Sequence, residues 1–137
     1  MNKEEDIRWK QRYENFEKAF LLLKEVIEMD FDQLNQLEKE GIIQRFEYTF
    51  ELAWKVLKDK MEDDGIVMET ISPKYVVRKA FETKYIRDAE TWLLMIGDRN
   101  LMSHTYNFSK FEEIILSIKK NYIIILNDLY KFLKKEL

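Results

Sequence analysis

The scarcity of glycine and proline most constrains what this chain can fold into. Its 137 residues include three glycines and one proline. Tight hairpin turns depend on residues that tolerate positive φ, above all glycine, so a sheet of short strands would lack its connections. Hydrophobic residues make up 46% of the chain and charged residues 36%, which suits amphipathic helices. We therefore expect an all-α fold.

The spacing of apolar residues predicts five helices, over about 5–28, 34–64, 73–83, 88–104 and from 109 onward. The inner positions of the first helix are Trp9, Tyr13, Phe16, Phe20, Leu23 and Ile27. Those of the second are Ile43, Phe46, Phe50, Ala53, Trp54, Leu57 and Met61. Those of the three later helices are Val76, Val77, Ala80 and Phe81, then Trp92, Met95 and Ile96, then Ile115, Ile118, Tyr122, Ile125, Leu129 and Leu133. Three long and two shorter helices with short connections favour an up-and-down bundle, a single domain over 1–137.

Capping residues mark several of the helix ends. Gly65 suits the C-terminal cap of the second helix. Ser72 and Pro73 suit the N-cap and first position of the third. Ser109 and Glu112 have capping-box spacing, which predicts Ser109 as the N-cap of the last helix.

Charge and cysteine content limit the partners that we expect. A formal net charge of −3 argues against broad, non-specific nucleic-acid binding. The chain has no cysteine, so it forms neither disulfides nor thiolate metal sites. The charged start MNKEEDIRWK lacks the apolar core of a signal peptide, and no apolar run approaches the roughly 20 residues that span a bilayer. We expect a soluble, cytoplasmic protein without a membrane partner.

Several catalytic chemistries are excluded by the residues available. No glycine-rich turn could cradle a phosphate as a P-loop does. His104 is the one histidine, so a monomer cannot build a zinc site with two histidine ligands. We expect neither a metal ion nor a cofactor.

The candidate site is a polar run near the end of the fourth helix: Arg99, Asn100, His104 and Tyr106. Asn100 and His104 are one helical turn apart and share a face. Arg99 and His104 diverge by about 140° on an ideal helix, so they would meet one ligand only across a groove or where the helix end unwinds. The alternative is structural: Arg99 pairs with an acidic neighbour and His104 caps the helix, where the dipole favours its cation.

The run RNLMSHTY matches the R-x-x-x-x-H-x-Y signature of HEPN domains, particularly the HepT-like branch. Together with Arg8-Trp9, the block IQRFEYTFELAWKVLKD at 43–59, and Ser72-Pro73, it makes nearly the whole chain resemble the nucleotidyltransferase substrate-binding proteins. These are helical partners of minimal nucleotidyltransferases. The resemblance implies a HEPN-like bundle that forms homodimers, with the signature helices facing each other across a cleft.

The resemblance also implies roles for the signature residues. In the HepT-like branch the protein is a toxin ribonuclease whose catalytic residues correspond to Arg99 and His104. The cognate nucleotidyltransferase is its antitoxin and attaches AMP to the tyrosine, here Tyr106. In the substrate-binding branch the same surface, with Asn100, would bind a nucleotide or RNA.

Two functional hypotheses follow, and a plain structural bundle ranks below both. The first is a non-catalytic partner subunit of a separate minimal nucleotidyltransferase. The second is a metal-independent ribonuclease that the partner silences. We do not expect nucleotidyltransferase activity in this chain, because those enzymes hold a Gly-Ser turn and two metal-binding aspartates on a sheet.

Overall fold

The chain forms a helical bundle, which confirms the predicted all-α class. The structure, a computed structural model, describes residues 3–103 and 107–137, and these residues form no strand. The helices are α1 (Lys3–Ile27), α2 (Gln36–Asp63), α3 (Pro73–Glu82), α4 (Ala89–Met102), α5 (Phe108–Ser117) and α6 (Ile123–Lys135). A π-helical turn, Ile118–Tyr122, joins α5 to α6, so together they form the predicted long last helix.

Side-chain caps fix the N-termini of α2, α3, α4 and α5. Ser72 caps α3 as predicted, accepting from the Tyr75 N–H at 3.2 Å. The prediction of Ser109 as N-cap is wrong: α5 begins at Phe108, and Asn107 is its cap. Asn107 Oδ1 accepts from both the Ser109 N–H at 3.1 Å and the Ser109 hydroxyl at 2.7 Å. Ser109 therefore donates to the cap, since the amide oxygen of asparagine is at least as good an acceptor.

Gly65 ends α2 as predicted. Its φ of 92° lies in the region that side chains disfavour. The Gly65 N–H donates to the Glu62 carbonyl at 3.0 Å and the Ile66 N–H to the Met61 carbonyl at 2.9 Å. These two bonds form a Schellman motif, which satisfies carbonyls at the helix end.

The C-terminus of α3 has the same motif without a glycine. Lys84 occupies the left-handed position at φ 67°, and the Tyr85 N–H donates to the Ala80 carbonyl at 2.8 Å. Among the described residues, Lys84 is the one non-glycine with positive φ. A side chain in this conformation costs about 1–2 kcal/mol, which glycine would avoid.

The core lies where α2 packs along α1 and also contacts α3, α4 and α5. Every predicted inner residue of α1 and α2 is buried. The prediction that Phe81 occupies an inner position is wrong, because half of its surface is exposed. Ile96 is half-buried and packs at the edge of the core. No helix formed by the described residues is long and apolar enough to cross a bilayer.

The π turn shifts the apolar stripe of the last helix by one residue. Ile125 was predicted at an inner position, yet it is half-buried, and Leu126 is fully buried in its place. A π turn takes more residues per turn than an α-helix, so the step after Tyr122 becomes four and not three. Leu129 and Leu133 then continue the stripe, both buried.

Candidate functional site

Arg99 lies on the last turn of α4 and faces α2. Its Nη2 is 3.2 Å from Glu51 Oε2, and 35% of its side chain is exposed. Its Nε is buried and has no hydrogen-bond partner among the residues that the structure describes. The acidic partner that the structural alternative required is therefore present, and Arg99 is held between α4 and α2.

A second carboxylate on α2, that of Glu47, also acts on Arg99. Glu47 lies one turn before Glu51 on α2 and is half-buried. Burial raises the pKa of the Glu47 carboxyl above its ordinary value, and the positive charge of Arg99 acts against that rise. Arg99 thus forms an ion pair with Glu51 and also interacts electrostatically with Glu47, both within its own chain.

We expect Glu47→Gln to raise the melting temperature at pH 7. A raised folded-state pKa means that the native state binds the proton more tightly than the unfolded chain. The protonated Glu47 carboxyl therefore contributes to stability at pH values below its pKa in the unfolded chain. This contribution is lost as the pH rises through its pKa in the folded state. Ionised Glu47 therefore destabilises the fold at pH 7, and glutamine removes that effect. Thermal unfolding at several pH values would measure the difference in melting temperature between Glu47→Gln and the wild type. We expect this difference to become smaller as the pH falls toward about 4.

Glu14→Gln on the exposed side of α1 is the matched control. It removes the same charge from a surface position and should not reproduce the pH-dependent gain. Equal responses of the two variants would mean that net charge, and not the burial of Glu47, sets the effect.

The structure brings Asn100 together with Arg99 but does not describe the rest of the signature. Asn100 is exposed, and its Oδ1 accepts from Arg99 Nη1 at 3.5 Å, a weak contact. Ser103 caps the C-terminus of α4, its N–H donating to the Arg99 carbonyl at 3.3 Å. His104 and Tyr106 lie outside the described residues.

A buried tyrosine, Tyr122, hydrogen-bonds to the residue that precedes Arg99. The sequence did not predict this contact. The Tyr122 hydroxyl, from the π turn, donates to Asp98 Oδ2, immediately before Arg99. The Tyr122 ring also stacks on Phe46 of α2, with ring centroids 5.6 Å apart. Burial and the neighbouring Asp98 carboxylate raise the pKa of the Tyr122 phenol, so it stays a donor. The widened turn thus ties the last helix to α4 and α2, and π turns recur at functional sites.

The opposite side of α4 carries an exposed apolar face, formed by Leu94, Gly97 and Leu101. Leu94 is 58% exposed, and Leu101 is also exposed. These residues are three and four positions apart, so they line one side of the helix. A Cβ added at Gly97 would meet nothing within 4 Å. The fold described therefore does not need glycine there, although glycine within a helix costs about 1 kcal/mol relative to alanine.

Comparisons with known proteins agree with this fold. Residues 11–135 match the model of the family described as "Nucleotidyltransferase substrate binding protein like". A crystal structure of a protein from Thermus thermophilus is 37% identical and has a TM-score of 0.73, covering 83% of this chain and 94% of that one. The "Probable ribonuclease HepT" of Haemophilus influenzae is 34% identical over 73 residues, 51% of this chain. The chain spans about half the length of that curated relative.

These matches confirm the resemblance that the signature and the 43–59 block suggested. The family model covers nearly all of the described helices. This chain belongs to the family of nucleotidyltransferase substrate-binding-like proteins.

Proposed function

We propose that this chain is a non-catalytic partner subunit of a separate minimal nucleotidyltransferase, with Arg99, Asn100, His104 and Tyr106 lining a binding cleft at a homodimer interface. The observation that carries the proposal is the match of residues 11–135 to the nucleotidyltransferase substrate-binding-like family. The ion pair between Arg99 and Glu51 limits how the site can bind a phosphate. A phosphate must compete with this carboxylate and with Glu47 for the guanidinium. A site whose cation is already paired is better suited to selective binding than to strong attraction of a polyanion.

The exposed face of α4 supports the dimer. In a two-fold dimer the same patch from each copy meets itself. Leu94 and Leu101 supply apolar area, and Gly97 between them permits close approach of two helices. Asn100 borders this face, so a cleft beside the two-fold axis would receive Asn100 from both copies. Arg99 lies on the other side of α4 and would reach this cleft only after leaving Glu51.

Similarity to the probable ribonuclease HepT favours a second candidate, a metal-independent ribonuclease. RNA cleavage by this route needs a base to take the proton of the 2′-hydroxyl and an acid to protonate the leaving 5′-oxygen. A dimer would supply two His104 side chains for these roles. The two Arg99 guanidinium groups would hold the phosphate and its developing negative charge, once each has left Glu51.

The two candidates are separated by assaying the purified, partner-free and unmodified chain on RNA. If it is a partner subunit, we expect no cleavage above the background of His104→Ala. Cleavage that His104→Ala abolishes would overturn the non-catalytic proposal in favour of the ribonuclease. Glu90→Ala, at an exposed position on α4 outside the signature, is the control and should match the wild type. A His104→Ala protein that fails to fold would assign His104 a structural role.

The partnership is tested by co-purification from cells that express both chains. We expect a stable complex with a protein that carries the Gly-Ser turn and paired aspartates of a minimal nucleotidyltransferase. Failure to co-purify with such a protein, encoded beside this chain, would contradict the partner-subunit proposal. Intact mass spectrometry of the same sample tests AMP attachment. An AMP-sized addition that disappears in Tyr106→Phe would support the ribonuclease silenced by modification.

A further inference from the structure

An open cavity lies at the other end of α4, between the α3–α4 connection and α6. Its volume is about 440 Å³, within the range of about 300–1,000 Å³ typical of small-molecule sites. Asp88, the N-cap of α4, lies at its edge, eleven residues before Arg99. Asp88 and Arg99 are therefore about 16 Å apart along the helix axis.

The cavity is lined by more cations than carboxylates. The cations are Lys84, Arg87, Lys131 and Lys135, and the carboxylates are Asp88 and Asp128. Among the described residues, none of these four cations has a carboxylate oxygen within 4.0 Å. The Asp88 carboxylate is already engaged, since it accepts from the Thr91 N–H at 2.9 Å and the Thr91 hydroxyl at 2.6 Å. The residues that line the cavity thus carry a net positive charge in a chain whose net charge is −3.

Lys84 has a backbone conformation that is unfavourable for any residue with a side chain. It occupies the left-handed C-terminal position of α3, where glycine would fit without strain. Its side chain lines the cavity and is exposed. Strained backbone is common where a side chain has a functional role. Compared with glycine, lysine at this position strains the backbone but places an ammonium group at the cavity.

One wall of the cavity is aromatic and fixed in place. The rings of Tyr85 and Phe132 meet edge to face, with centroids 5.8 Å apart and an interplanar angle of 78°. The Tyr85 hydroxyl donates to Asp64 Oδ2 at 2.6 Å, which anchors its ring to the end of α2. A flat aromatic ligand could pack on this wall without the rings having to be ordered first.

From these features we infer that the cavity is a second binding site, and that its ligand is a nucleoside polyphosphate. The phosphates bind Lys84, Arg87 and Lys131, and the base packs against Tyr85 and Phe132. Aromatic surface beside unpaired cations matches the two parts of such a ligand. This inference goes beyond the proposed function and does not depend on it, because no residue of the cavity belongs to the signature.

Isothermal titration calorimetry with ATP, tripolyphosphate and adenosine tests the site. We expect ATP to bind one per chain and more tightly than either of the other two, because only ATP has both parts. Lys84→Gly should weaken ATP binding at least tenfold while the melting temperature stays the same or rises, since glycine relieves the strain. Lys131→Ala should weaken ATP binding in the same direction. Lys24→Ala, an exposed lysine on α1, should leave the affinity unchanged.

Three results would overturn the inference. The first is the absence of ATP binding at millimolar concentration. The second is ATP binding that neither Lys84→Gly nor Lys131→Ala weakens, which would place the nucleotide elsewhere. The third is tripolyphosphate binding as tightly as ATP, which would exclude recognition of the base.

Discussion

Replacing Arg12 by methionine should lower the free energy of unfolding by about 3 kcal/mol. The Arg12 Nε donates to Asp59 Oδ2 at 3.0 Å and joins α1 to α2. The Asp59 side chain is 0% exposed, so the substitution leaves a buried carboxylate with Lys58, at 3.1 Å, as its remaining cation. Breaking a buried pair costs about 3–5 kcal/mol, and Lys58 keeps the loss at the lower end. Urea denaturation would measure this loss, which is a large fraction of a total stability of about 5–15 kcal/mol.

Two further variants show whether burial causes this loss. Lys10→Met removes an ion pair of the same helix, with Asp6 at 3.2 Å, whose side chains are 43% and 36% exposed. Exposed pairs contribute about 0–1 kcal/mol, so its effect should be small. The double variant Arg12→Met with Asp59→Leu removes both charges and should recover most of the stability. If Lys10→Met were as damaging as Arg12→Met, or the double variant recovered nothing, the uncompensated carboxylate would not be the cause.

The helices could be predicted from the sequence because their apolar spacing is a local property. The stripes of the first and second helices are continuous, and all their predicted inner residues are buried. Phe81 failed because α3 is short and its stripe is narrow. On an ideal helix Phe81 points about 90° away from the centre of the stripe that Val76, Val77 and Ala80 define. Ile125 failed for a different reason, since an α-helical period cannot foresee a π turn.

The candidate site was predictable in its residue types and not in its tertiary partners. Arg99 was identified, and pairing with an acidic neighbour was one of the two alternatives. Its partner Glu51 could not be named, because the two residues are 48 positions apart and spacing along a helix relates only near neighbours. The bond from Tyr122 to Asp98 was missed for the same reason. The signal for Tyr122 was its place in the apolar stripe, which predicts burial but does not say where a phenol donates.

Replacing Leu94 by glutamate should raise the dissociation constant of the proposed dimer by at least about 100-fold. Because a two-fold interface uses the same patch twice, one substitution brings two unpaired charges into an apolar contact. Sedimentation equilibrium over a range of concentrations would measure the change. Leu37→Glu, on the first turn of α2 and highly exposed, adds the same charge outside this face and should leave the dimer intact. Equal effects of the two variants, or a wild-type chain that is monomeric at micromolar concentration, would place the interface elsewhere or exclude it.

Gly97 allows a finer test of the same face. Both Gly97 in α4 and Gly41 in α2 have open space where a Cβ would stand. Alanine at either position should therefore stabilise the isolated fold, by about 1 kcal/mol from helix propensity. At Gly97 alone the added methyl group would separate two helices that pack across the two-fold axis, so Gly97→Ala should weaken the dimer while Gly41→Ala leaves it unchanged. A loss of association together with a gain in the stability of the monomer cannot come from misfolding. If Gly97→Ala dimerises as tightly as the wild type, the helices do not approach closely at this residue, and the glycine needs another explanation.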